Sequence, residues 1–124
     1  MQKIFITTLL IASIGSSFAQ TIVWKKLTAF PKTTSGAEPI VLGNKIYYVP
    51  SSYAPRSITS DFYRYDIPKD TWVKLANMPE AKGNLAVAEA SGKIYAIGGT
   101  TSDPDWTYYS DVYEGTIIDS KNKQ

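Results

Sequence analysis

The chain has 124 residues, with 13 basic and 11 acidic side chains, a formal net charge of +2, no cysteine and no histidine. So even a charge balance offers no basic face for nucleic acid and no polybasic patch for a membrane surface. Without cysteine or histidine, thiol catalysis, Ser-His-Asp chemistry and zinc sites are excluded within this chain, and no metal or cofactor is expected.

The N-terminus reads as a secretory signal peptide over residues 1–19. Lys3 supplies the positive charge, residues 4–14 form an apolar core, and Ser17 and Ala19 place small side chains three and one before a cut ahead of Gln20. The apolar run is too short for an ordinary spanning helix. Cleavage after Ala19 predicts a secreted or periplasmic chain with no membrane attachment, whose stability must come from packed strands because disulfides are absent.

Residues 22–27 have the pattern of an isolated strand carrying Trp24. A unit of four strands follows over residues 37–76. Its first two, 37–42 and 45–49, are joined by a Gly43-Asn44 turn. A long loop over 50–60 contains Tyr53 and Arg56. The third strand, 61–67, alternates aromatic with polar residues, and the fourth, 71–76, carries Trp72. A second unit over residues 84–118 has three such strands, and its long loop over 100–110 contains Asp103, Asp105, Trp106, Tyr108 and Tyr109.

The units are copies of one another. "WKKLTAFPK" at Trp24 and "WVKLANMPE" at Trp72 align with an offset of 48, and so do "NKIYYV" at Asn44 and "GKIYAI" at Gly92. "DFYRYD" at Asp61 answers "DVYEGT" at Asp111 with an offset of 50. Two departures stand out: Pro50-Ser51 occupies the place of Gly98-Gly99, and Tyr65 has Gly115 or Ile118 as its counterpart.

In the spacing of its glycine pair, tyrosines and tryptophans, the chain resembles the kelch repeat, whose period is near 50 residues. The resemblance spans residue 21 to about 119. It implies an all-β fold of kelch-type β-propeller blades, each a four-stranded antiparallel sheet, in about two blades of an incomplete ring. Trp24, Trp72, Tyr47, Tyr95, Tyr63 and Tyr113 would then be repeat residues packed between blades. Gly98 and Gly99 would end the second strand where backbones converge near the axis.

Because a propeller has 4–8 blades, the expectation is the N-terminal part of a longer propeller. The rival is a short chain that closes a ring as a trimer. Self-association through exposed blade faces is expected in either case.

Function in such folds sits in the loops. Exposed rings beside charges suit protein or carbohydrate recognition, which makes Tyr53, Arg56, Asp103, Asp105, Trp106 and Tyr109 the ligand-binding candidates. The competing role for these rings is to shield loop backbone. Asp103-Pro104-Asp105 lacks the further oxygen ligands of a calcium loop, and Asp61 and Asp111 are expected to cap turns.

The function expected is an exported kelch-repeat binding module for a protein or glycan, without catalytic residues. The alternative is part of an enzyme similar to the sialic-acid mutarotases (N-acetylneuraminate epimerases), with its acid and base on blades outside this sequence. The copper chemistry of galactose-oxidase-type propellers is disfavoured by the lack of histidine.

Overall fold

A computed structural model describes residues 20–53, 57–101 and 106–118. The predicted signal peptide, residues 1–19, lies outside them, as do Arg56, Asp103 and Asp105. The described residues form seven strands in two antiparallel sheets. The first sheet contains β1 (Thr34–Leu42), β2 (Lys45–Tyr53), β3 (Tyr63–Asp66) and β4 (Thr71–Lys74), in that order. The second contains β5 (Ala86–Ala90), β6 (Lys93–Ile97) and β7 (Val112–Thr116). This is the predicted blade of four strands followed by a blade of three.

The expected hairpin at Gly43-Asn44 is present, and the second blade has a tight hairpin of different turn geometry. Leu42 pairs Lys45 across Gly43, whose φ is +59°. In the second blade Ala90 pairs Lys93 across Ser91 and Gly92, and both φ values are positive. A two-residue hairpin needs such left-handed positions to match the strand twist, and the glycine moves from first to second place between the copies.

The second strands end differently. β6 stops at Ile97, and Gly98 and Gly99 follow with φ of +64° and +104°. A Cβ on Gly99 would lie 3.1 Å from the Gly83 carbonyl oxygen and 3.1 Å from Lys82 Cβ. Backbone therefore comes too close at Gly99 for a Cβ. In the first blade, Pro50 is buried and the strand continues past it to Tyr53, with β1 lengthened by register shifts about Gly36 to keep pace.

The blades stack face to face. In the first blade, Phe30 packs on Tyr48, Tyr63 and Trp72, with ring centroids 4.7, 4.8 and 5.0 Å away. Tyr47, Phe62 and Arg64 lie on the other side of that sheet and line a crevice of about 490 Å³ against the second blade, which presents Ile94, Ala96 and Gly115. Met78, the repeat counterpart of Phe30, lies in this crevice. Each connecting segment thus covers the same face of the blade that follows it. Tyr47, Val49, Tyr63, Tyr65, Leu85 and Ile94 form the buried apolar core.

Residues 22–27 do not form the expected strand: their backbone is irregular and Trp24 is 88% exposed. Among the described residues no sheet edge is paired with this segment, so its apolar residues gain nothing from an extended ladder. Trp24 therefore does not share the setting of Trp72, which is half-buried and donates its indole N–H to the Thr28 carbonyl at 3.1 Å.

Candidate ligand-binding groove

The inner ends of the two blades meet at a groove of about 440 Å³. Its walls come from matching places in the repeat. Ser35, Gly36 and Ser52 of the first blade correspond to Gly83, Asn84 and Thr100 of the second at the 48-residue offset. In the first blade the Ser35 and Ser52 hydroxyls meet at 2.5 Å. In the second, Gly83 and Thr100 exchange backbone hydrogen bonds of 2.8 Å in both directions. Gly83 must be small: a Cβ there would stand 3.0 Å from the Ser51 carbonyl oxygen and 3.3 Å from Ile58 Cγ2, both in the first blade. The close approach of the blades forms the floor of the groove.

Both long loops reach this place. Ile58 comes from the first loop and Trp106 from the second. Trp106 is 53% exposed beside the hydroxyls of Ser51, Ser52, Thr100 and Thr101 and the amide of Asn84. The second loop is anchored at its base, where Thr101 N–H donates to the Thr107 carbonyl at 3.0 Å and Thr107 N–H donates to Thr101 Oγ1 at 2.8 Å. A half-exposed ring above neutral donors and acceptors can stack on the apolar face of a sugar or hold an extended peptide.

The other candidates are distributed unevenly. Tyr53 ends β2 and pairs with Thr34. Tyr109 does not line the groove, and the ammonium of Lys82 lies 4.1 Å from its ring centroid. Of the repeat residues, Tyr47 and Tyr63 are buried and Trp72 packs on Phe30. Tyr95 faces outward and donates its hydroxyl to Glu114 at 2.9 Å, a bond that raises its pKa. Tyr113 stands 4.7 Å from the Lys82 ammonium.

Sequence reasoning missed two charge clusters. Asp61 does more than cap a turn: its buried carboxylate takes Lys32 at 3.1 Å and Lys74 at 2.7 Å. Lys82 is buried and pairs with Asp111 at 2.9 Å and Glu80 at 3.2 Å. Burial alone lowers its pKa, but the hydrogen bonds its ammonium donates to Asp111 and Glu80 outweigh that and leave it above the ordinary lysine value. Lys82 is therefore held charged between the two carboxylates, as a structural post.

Two antiparallel sheets stacked face to face, copies of one repeat, define the architecture as blades of a β-propeller. No protein-family profile matches the chain. It is similar to Kelch-like protein 31 of Danio rerio, at 30% identity over 87 residues, covering 65% of this chain and 14% of that protein. It is also similar to Kelch-like protein 35 of Mus musculus, at 31% over 80 residues with 64% and 14% covered, and to Kelch-like protein terF of Aspergillus terreus, at 32% over 84 residues with 68% and 17% covered. The chain belongs to the kelch-repeat family. It spans about a seventh of the length of the first two relatives.

Proposed function

We propose that the chain is an exported kelch-repeat binding module whose ligand, a glycan or an extended peptide segment of a partner protein, lies in the groove between the blades. The observation that carries this reading is the half-exposed Trp106 ring beside neutral hydroxyl and amide groups where both long loops converge. The two blades serve as part of a larger ring, with the groove on its loop-bearing face. Ligand is held by ring stacking and neutral hydrogen bonds, and no step of chemistry is assigned to the residues lining the groove.

The test is a glycan array and an extended-peptide array, each probed with the native chain and with Trp106→Ala. Binding that falls about tenfold or more in the variant, on one array, supports the reading and identifies the ligand class. Equal binding by both proteins contradicts it. For export, the terminus of the secreted or periplasmic product is expected at Gln20; an intact Met1 terminus on the exported chain would contradict cleavage after Ala19.

A further inference from the structure

The groove between the blades has one polar station on each. Ser52 and Thr100 occupy the same place at the 48-residue offset, and so do Gly36 and Asn84. In the first blade Ser52 Oγ lies 2.5 Å from Ser35 Oγ. In the second, Thr100 Oγ1 accepts the Asn84 side-chain N–H at 3.5 Å. The stations adjoin, because Gly83 has no Cβ to hold off the Ser51 carbonyl of the other blade.

The backbone of this floor is already committed. Gly83 and Thr100 each donate an N–H to the other's carbonyl. Thr101 N–H donates to the Thr107 carbonyl, and the Ser52 carbonyl accepts Thr34 Oγ1 at 2.9 Å. An extended peptide adds to a sheet through free ladder groups, and at these positions they are taken. The side chains differ. A hydroxyl has one proton and two lone pairs, so Ser35 and Ser52 bond to each other and still keep a proton and lone pairs between them. Groups that both donate and accept match sugar hydroxyls, which do the same. Every described side chain that lines the groove is uncharged. An acidic sugar would therefore lose water from its carboxylate with no cation of the described lining to replace it.

Trp106 belongs to the second station. It directly precedes Thr107, which two hydrogen bonds tie to Thr101, the neighbour of Thr100. It is the single aromatic ring among the described residues of the groove, so the first station works by hydrogen bonds alone. We infer that the ligand is a neutral oligosaccharide of at least two units. One sugar ring stacks on Trp106 beside Thr100 and Asn84, and the next is held by Ser35 and Ser52. This rests on the reading of the groove as a binding site, and adds that the two blades read neighbouring units of one glycan chain.

The experiment is calorimetric titration of the exported chain with neutral glucose and N-acetylglucosamine oligomers of one, two and three units, in α and β linkage. In at least one series the affinity should rise about tenfold or more from one unit to two, the gain that a few added hydrogen bonds supply. Ser52→Ala keeps the backbone carbonyl that Thr34 holds and should leave the circular dichroism unchanged. It should remove most of the gain while the single unit binds as before. Trp106→Ala should weaken one unit and two alike, by about tenfold. Three results would each overturn this inference and leave the groove standing as a binding site: Trp106-dependent binding of extended peptides alone, a requirement for an acidic sugar, or a chain-length gain that is absent or indifferent to Ser52→Ala. The absence of any Trp106-dependent binding, to glycan or peptide, would overturn both readings.

Discussion

Lys82 stands to Asp111 as Lys32 stands to Asp61, 29 residues apart in both pairs, but the burial is inverted. In the first blade the Asp61 side chain is 9% exposed and its lysines, Lys32 and Lys74, are 47% and 51% exposed. In the second blade the Lys82 side chain is 4% exposed and its acids, Glu80 and Asp111, are 47% and 50% exposed. One blade sets an anion between two solvated cations, and the other sets a cation between two solvated anions.

This inversion predicts which substitution is costly. When an exposed partner of a buried charge is removed, that charge is left without compensation; when the buried member is removed, its partners return to water. Glu80→Gln with Asp111→Asn should therefore destabilise by about 3–5 kcal/mol. Lys82→Met, which abolishes the same two bridges, should stay within about 1 kcal/mol of the native chain, because the methionine still packs on Tyr109 and Tyr113. Denaturant unfolding of the two variants checks the order, and a larger loss for Lys82→Met would contradict it.

The glycines separate strain from crowding. Gly99→Ala meets both, with φ at +104° and neighbours at 3.1, 3.1 and 3.2 Å, and should cost about 3 kcal/mol or more. Gly43→Ala meets strain alone, with φ at +59° and nothing within 4 Å, and should cost about 1–2 kcal/mol. Equal losses on thermal unfolding would show that the inner end of the second blade is not closely packed.

A pH dependence follows from Tyr65 and Asp70. The Tyr65 hydroxyl donates to Asp70 at 2.5 Å, and this bond, with burial, pushes the phenol up to about 12. A folded pKa above the unfolded one means that the contribution to stability is complete below about pH 10 and is lost as pH rises towards 12. Asp70 moves the other way. Its carboxyl is lowered by the Tyr65 hydroxyl and by the Thr28 N–H at 2.8 Å, so its contribution holds above the ordinary carboxyl range and is lost as pH falls through the lowered value. Tyr65→Phe should remove the last step of the tyrosinate absorbance titration and flatten the alkaline limb of the stability curve. Persistence of that step in the variant would contradict the assignment.

Local signals explain how much was legible beforehand. The Gly43-Asn44 hairpin, the glycine pair and the four-then-three strand pattern are properties of short stretches of chain. The buried charges are not local. At the 48-residue offset Lys32 aligns with Glu80, of opposite sign, which conceals that Lys82, two residues on, plays the Lys32 role against Asp111. Trp24 misled for a related reason: its motif matches Trp72, yet pairing depends on a neighbouring strand that the motif does not encode. Tyr109 was counted with the exposed loop rings because nothing in its neighbourhood announces the Lys82 ammonium beneath it.

The convergence of the two blades at the groove is the claim on which the binding reading depends, and Gly83 reports on it directly. In an isotope-edited NOE spectrum of the exported chain, the Gly83 α protons should show strong cross-peaks to the Ile58 methyl group, which comes from the other blade. Cross-peaks from Gly83 confined to residues of its own blade, such as Thr100, would mean that the blades do not meet there and that no groove joins their loops.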